Sequence, residues 1–212
     1  MTAAHDIVGV ILAGGQSRRM GGGDKSLLNL GDKPMLGHVV ARFGPQVSRM
    51  AINANGEPDR FAPFGLPVVS DTIEGFVGPL AGVLAGMTWA RAAAPEARWV
   101  ATVSADAPFI PSDLVARLAA AVAMRPMAIA IAESAGELHP VIGLWPVAHL
   151  QDLESELKAG VRKVLRWTDK HGTVPVQFSL VKIGDVEIDP FFNANTPEEL
   201  NEARRLLQKS VS

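Results

Sequence analysis

The stretch LAGGQSRRMGGGDK, from Leu12 to Lys25, places two glycine clusters and the cations Arg18, Arg19 and Lys25 directly after an apolar run. Glycines let backbone N–H groups approach an anion without side-chain obstruction. Arginine and lysine add charge where a polyphosphate would lie. These residue types in this order make a phosphate-binding loop. It is not a P-loop, because Asp24 interrupts the Gly-Lys pair that such a loop requires, and it contains no G-x-G-x-x-G dinucleotide fingerprint. A solvated glycine-rich surface loop is the competing reading, but it gives no reason for glycine pairs and cations together just past a strand.

Other polar residues follow other apolar runs. Asn53 ends the run at Arg49–Ala54, Asp71 follows Pro67–Ser70, and Asp106 follows Arg98–Ser104. Asp106 supplies a carboxylate at a strand end, where a turn role before Pro108 explains it equally well. Asp71 reads as a site residue with a turn role as the alternative. Asn53 and Asn195 either face a ligand or serve backbone groups at a strand end and a helix start. Lys25 either meets phosphate or pairs with Asp24 on the surface. His139, in His139-Pro140, reads as structural. Arg162, Lys163 and Arg166 form a basic cluster at helical spacing, more simply a solvated face than a phosphate contact. Trp89, Trp99, Trp145 and Trp167 read as core or interface residues.

The elements that must carry these residues alternate. Strands are expected at Asp6–Ala13, Arg49–Ala54, Pro67–Ser70, Arg98–Ser104, Met127–Ala132, His139–Trp145 and Thr173–Ser179. Helices are expected at Pro34–Phe43, Pro79–Ala93, Pro111–Met124, Val147–Lys158 and Val161–Lys170, several opened by proline. The last helix has Thr196 as N-cap, Pro197 at its first position and Glu199 closing a capping box, with Leu200, Ala203 and Leu207 on one face. Strand–helix alternation predicts a three-layer α/β fold with a mainly parallel sheet. Such sheets bind ligands beyond the carboxyl ends of their strands, where Gly14–Lys25, Asn53, Asp71 and Asp106 stand.

A chain of 212 residues without a repeat or an evident linker reads as a single domain, 1–212. It has no cysteine, which excludes disulfides, thiolate catalysis and Cys-based zinc sites, and no tyrosine for acid–base chemistry. A net charge of −2 gives no global attraction to nucleic acid or anionic membrane. No apolar stretch is long enough to span a bilayer, and Met1–Val10 lacks the basic start of a signal peptide, so a cytoplasmic location is expected.

Taken in combination the motifs resemble those of the molybdenum cofactor guanylyltransferases, the MobA family. LAGG followed by RMGG and Asp24-Lys25 is similar to the family's opening signature. Asn53 in AINAN, Asp71 followed by Gly78-Pro79-Leu80-Ala81-Gly82, Asp106-Ala-Pro-Phe-Ile-Pro, and Asn193-Ala-Asn195-Thr-Pro-Glu-Glu-Leu resemble its later elements, in order, along nearly the whole chain. The resemblance implies a Rossmann-like nucleotide-diphospho-sugar-transferase fold. It implies that Leu12, Ala13, Gly14, Gly15, Asn53 and Asp71 hold the guanosine of GTP, that Lys25 meets the phosphates, and that Asp106 ligates Mg²⁺. Arg19 would act with Lys25 on the leaving pyrophosphate. Asn193 and Asn195, in the C-terminal part, would face molybdopterin. Cofactor-insertion proteins and apo-molybdoenzymes are the further partners it implies. Three alternatives stay open on sequence alone: a cytidylyltransferase of the same cofactor, whose opening motif is typically LAAG; a sugar-1-phosphate nucleotidyltransferase; and a nucleotide-binding sensor.

Overall fold

A computed structural model describes residues 6–14, 24–73, 78–183, 185–194 and 196–209. Its centre is a seven-stranded sheet. In chain order the strands are β1 (Ile7–Leu12), β4 (Met50–Asn53), β5 (Val68–Val69), β6 (Trp99–Ser104), β7 (Ile129–Ser134), β8 (Glu137–Pro146) and β9 (Thr173–Phe178). They are arranged β5-β4-β1-β6-β8-β7-β9. All run parallel except β8, which pairs antiparallel with β6 and β7.

Strand β1 shows why the sheet has two covered faces. Ile7 and Ile11 point to one layer, built on α1 (Met35–Phe43) and α3 (Leu114–Val122) through Leu36, Val39, Leu114 and Leu118. Val8 and Val10 point to the other, built on α2 (Pro79–Ala93), α4 (Leu150–Lys158) and α5 (Val164–His171) through Leu80, Leu84, Leu153 and Trp167. A run of β-branched residues without a polar face suits a strand buried on both sides. Trp99, Trp145 and Trp167 are buried core residues, and the partly buried Trp89 packs at the margin of the second layer.

The reversal at β8 decides which residues share a sheet edge. Ala135 and Gly136 join β7 to β8 with φ of 49° and 81°, the positive values of a two-residue hairpin turn. Because β8 runs backwards, its first residues, including His139, lie at the same sheet edge as the last residues of β6 and β7.

A third cluster stands beside this edge. It joins the hairpin β2–β3 (Asn29–Leu30 and Lys33–Pro34), the hairpin β10–β11 (Val181–Ile183 and Val186–Ile188) and α6 (Pro197–Lys209), through Leu30, Met35, Phe109, Ile188, Leu200, Ala203 and Leu206. The capping box of α6 forms as expected: the Glu199 N–H donates to Thr196 Oγ1 (3.2 Å) and the Thr196 N–H donates to Glu199 Oε2 (2.8 Å). The side chain of Leu207 lies outside the described residues.

Four helices begin later than expected. Pro34 pairs with Asn29 in β3, so α1 starts at Met35. Pro111–Asp113 form a turn, and Gln46 Oε1 accepts the Val115 N–H at 3.0 Å, so α3 starts at Leu114. Val147–His149 form a 3₁₀ turn, so α4 starts at Leu150. Gly160, at φ 95°, ends α4, and Arg162 donates to the Leu157 and Val161 carbonyls, so α5 starts at Val164. Arg162 therefore closes a helix end and does not share a helical face with Arg166.

Two buried histidines make the fold acid-sensitive. Burial holds His38, which donates to the Leu30 carbonyl at 2.7 Å, below the ordinary histidine value of 6.5. Burial does the same to His149, which donates to the Met127 carbonyl at 2.7 Å and lies against the tilted His171 ring, centroids 4.0 Å apart. The unfolded chain then takes up protons before the folded one as pH falls, so this stability is present above pH 6.5 and lost below it. The denaturant midpoint is expected to be flat from about pH 8 to 7 and to fall between about pH 6.5 and 5. In a variant carrying His38→Gln and His149→Gln, which keeps both donors without titration, the fall should be shallower. An equal fall in that variant would assign the acid loss to other groups.

Candidate active site at the strand ends

Four parallel strands end in one row. Leu12 is level with Asn53 on one side and Ser104 on the other, and Asn53 is level with Val69. The Leu12 carbonyl accepts the Ala105 N–H (3.0 Å), and the Ala13 N–H donates to the Asn53 carbonyl (2.8 Å). These bonds close the ladder, so Gly14 is the first exposed residue past it. A Cβ built on Gly14 would find only Asn53 Oδ1 nearby, at 3.9 Å, and the backbone there is not left-handed. The fold itself therefore has room for alanine at position 14.

Two carboxylates stand two residues beyond this row, one on each side of β1. On the β5 side, Asn53 is 4 % exposed and its Nδ2 donates to the Val69 carbonyl (3.1 Å) and to Asp71 Oδ1 (3.0 Å). Asn55 Nδ2 donates to Asp71 Oδ2 (2.8 Å), while the Asp71 N–H donates to Asn55 Oδ1 (2.9 Å). Asp71 is thus oriented by two amides. Helix α2 presses on this arrangement: a Cβ on Gly82 would lie 2.4 Å from Asn53 Oδ1.

On the β6 side, Ser104 Oγ donates to Asp106 Oδ1, and Lys25 Nζ forms an ion pair with Asp106 Oδ2. The two side chains of that pair are only 13 % and 17 % exposed. The surface pairing with Asp24 is therefore not what forms: Asp24 pairs with Arg60, which also donates to the Asn55 and Glu57 carbonyls. Arg60 ties the loop that orients Asp71 to the segment that carries Lys25. From the C-terminal half, the Ala194 N–H reaches the Asp106 carbonyl at 3.4 Å, which brings Asn193 against the same turn.

Two buried side-chain oxygens near this turn, Ser26 Oγ and Asn193 Oδ1, have no hydrogen-bond partner among the described residues. Buried polar atoms are seldom left without partners, and both lie one residue from a group that touches Asp106.

Phosphate-bound Mg²⁺ is usually held by one or two carboxylates, with phosphate oxygens and water completing its shell. Asp106 meets that requirement, and no group of three or more His, Asp or Glu that could cage a metal occurs among the described residues. The arrangement presents an amide–carboxylate pair at Asn53–Asp71 and a cation–carboxylate pair at Lys25–Asp106 along one rim.

A family model described as the MobA-like NTP transferase domain matches residues 9–174. The chain belongs to the MobA-like NTP transferase family. The molybdenum cofactor guanylyltransferase of Mesorhizobium japonicum is 51 % identical to this MobA-like chain over 209 residues, covering 98 % of the chain and 99 % of the relative. That of Rhodopseudomonas palustris is 49 % identical over 198 residues, covering 93 % and 92 %. The crystal structure of molybdopterin-guanine dinucleotide biosynthesis protein A from Archaeoglobus fulgidus superimposes with a TM-score of 0.72 at 22 % identity, covering 96 % and 99 %, and shares the fold. The α/β nucleotide-diphospho-sugar-transferase architecture and the MobA-like membership expected from the motifs both hold.

Of the residues singled out in the sequence, the MobA-like fold brings together Leu12, Ala13, Gly14, Asn53 and Asp71 at one end of the rim. It brings Lys25, Asp106 and Asn193 together at the other. Gly15, Arg19 and Asn195 lie outside the described residues. Sequence reasoning missed Ser104, Asn55, Arg60 and the steric role of Gly82. Asn55 and Gly82 stand inside the motifs AINAN and Gly78–Gly82, but nothing in the sequence signals Arg60 or Ser104.

Proposed function

We propose that this chain is a molybdenum cofactor guanylyltransferase: it transfers GMP from GTP to the terminal phosphate of molybdopterin and releases pyrophosphate. The observation that carries this reading is the level row of strand ends, with an amide–carboxylate pair at Asn53–Asp71 and a cation–carboxylate pair at Lys25–Asp106, in a MobA-like chain about half identical to guanylyltransferases over nearly its whole length.

In this reading a phosphate oxygen of molybdopterin attacks the α-phosphorus of GTP in line, and the bond from that phosphorus to the β-phosphate oxygen breaks. A phosphate is already ionised at neutral pH, so no general base is needed. The chain's task is alignment and charge neutralisation. Asn53 and Asp71, with the backbone at Leu12–Gly15, hold the guanosine. Lys25 and Arg19 hold the departing pyrophosphate. Asp106 would hold Mg²⁺, which when bound draws charge from the phosphate oxygens. Asn193 and Asn195 would meet molybdopterin, so the N-terminal part of a single domain takes GTP and the C-terminal part takes the pterin. No helix among the described residues is long and apolar enough to cross a membrane. A cytoplasmic enzyme that hands its product to cofactor-insertion proteins and apo-molybdoenzymes is the corresponding cellular reading, with neither nucleic acid nor membrane as partner.

The test is a competition assay with GTP, CTP, ATP and UTP and metal-loaded molybdopterin, reading the dinucleotide formed. The guanine dinucleotide is expected to dominate, because a pocket built on buried polar groups leaves them unmatched with the wrong base. Gly14→Ala should lower GTP use severalfold with an unchanged thermal midpoint, since the fold has room for the methyl group and a purine laid against Gly14 does not. Predominant cytosine dinucleotide would move the chain to the sister activity, and conversion of a sugar phosphate without dinucleotide would overturn the reading.

A further inference from the structure

Next to the Asp106 turn, on the sheet edge shared by β7 and the start of β8, is a polar network separate from the GTP-binding rim. Ser134, the last residue of β7, is fully buried. Its Oγ lies 2.6 Å from His139 Nε2 and 2.7 and 2.8 Å from the Asp189 carboxylate oxygens. His139 Nε2 and Asp189 Oδ2 are 3.8 Å apart, so the serine, not the histidine, is the bridge.

The protons in this network can be assigned. A carboxylate only accepts, so the one hydroxyl proton of Ser134 goes to Asp189. Ser134 Oγ must then accept from His139, which fixes the histidine as the Nε2–H tautomer. Burial holds His139 below the ordinary histidine value, against the opposing pull of Asp189 and Glu137, so at neutral pH it carries the one ring proton that this bond uses.

What the network holds is the chain that returns to the site. Asp189 Oδ1 accepts the Phe191 N–H at 2.7 Å, and the Asp189 carbonyl accepts the Phe192 N–H at 3.1 Å. The Phe191 ring is buried between His139 (4.8 Å) and Phe178 (5.2 Å). Three residues on, the Ala194 N–H reaches the Asp106 carbonyl, and between them Asn193 presents a buried oxygen with no partner among the described residues.

We propose that Ser134, His139 and Asp189 are positioning residues that lock segment 189–194 against the Asp106 turn, so that Asn193 is presented to the pterin substrate and not to GTP. This rests on the guanylyltransferase reading for the identity of that substrate. A core polar cluster with no such role would give no reason for the segment to hold a buried amide oxygen, Asn193 Oδ1, with no partner among the described residues.

The experiment uses the full chain with metal-loaded molybdopterin and GTP, each varied at saturation of the other. His139→Phe keeps a ring on Phe191 and removes the donor to Ser134. It should raise KM for molybdopterin about tenfold, the scale of one lost hydrogen bond in a network ending on a charged group, with KM for GTP within about twofold, well below that scale. Ser134→Ala should behave alike. His139→Gln, whose amide N–H replaces Nε2–H, should recover most of the loss. Amide hydrogen exchange at Phe191, Phe192 and Ala194 should accelerate in His139→Phe and Ser134→Ala and return towards the wild-type rate in His139→Gln. Equal rises in both KM values, no rise at all, or failure of the glutamine to recover would overturn the proposal. If the wild-type chain makes no dinucleotide, the guanylyltransferase reading falls, and exchange then decides the network alone: unchanged protection in His139→Phe and Ser134→Ala overturns it, and acceleration reversed by glutamine supports it.

Discussion

Replacing Asp106 with asparagine is expected to slow turnover by roughly a hundredfold or more, the scale of removing one electrostatic stabiliser of a transition state, while the chain still folds. Asparagine has nearly the same size and keeps an oxygen that accepts from Ser104 Oγ, so the turn after β6 retains its internal bond. What it lacks is the charge. That charge pairs with Lys25 here, and in the proposed reaction it would hold the Mg²⁺ that offsets phosphate charge. Two measurements check this. Single-turnover rates at saturating Mg²⁺ should show the loss, and Mg²⁺ titration in the presence of GTP should show weakened metal affinity, while thermal unfolding stays cooperative at a lower midpoint because the Lys25 ion pair is lost. Turnover close to wild type at saturating Mg²⁺ would remove Asp106 from the metal role and leave it as the partner that positions Lys25.

Legibility in the sequence depends on how far each interaction reaches along the chain. Helix α2 agrees with its expected bounds, because its start signal, Gly78-Pro79, is local. The partners of the α6 capping box are three positions apart, so it is equally legible. The start of α3 is not, since its cap acceptor, Gln46, is 69 residues away. The hairpins β2–β3 and β10–β11 escape notice because runs of two and three residues have too little periodicity to register. At the site the same division holds. Asn53 and Asp71 are visible as polar residues at strand ends, but their mutual bond needs β4 and β5 to be neighbours, a fact of topology. Lys25 is legible as a cation near phosphate, whereas the sequence offers Asp24 as its partner and the fold supplies Asp106. His139 reads as a lone structural histidine because its network is completed by Asp189, bonded to Ser134 across 55 residues.

Gly82→Ala is expected to separate stability from nucleotide binding. Gly82 lies in the first turn of α2 and is buried among Leu80, Ala81 and Val83. Alanine favours a helix over glycine by about 1 kcal/mol, so an unobstructed site would gain stability. The added Cβ, however, would sit 2.4 Å from Asn53 Oδ1 and 2.8 Å from Leu12 Cδ2. The helix backbone cannot retreat through a packed layer, so the side-chain tips must move. Turning the Asn53 amide away breaks its bonds to the Val69 carbonyl and to Asp71. Two hydrogen bonds at about 1 kcal/mol each, set against the helical gain, leave a net loss of only about 1 kcal/mol. The nucleoside end of the site loses far more, because Asp71 is no longer oriented by Asn53 where guanosine would meet it. The value of kcat/KM for GTP should fall roughly tenfold to a hundredfold, as expected when about two polar contacts are lost. The rate at saturating GTP should change little, since Lys25 and Asp106 are untouched. Coupling provides the decisive check. In an Asn53→Ala background the main obstacle is gone, so adding Gly82→Ala should cost little more in kcat/KM, and the two effects should be strongly non-additive. Fully additive losses would mean that Gly82 acts through Leu12 or the helix itself, and that Asn53 is not the residue it makes room for.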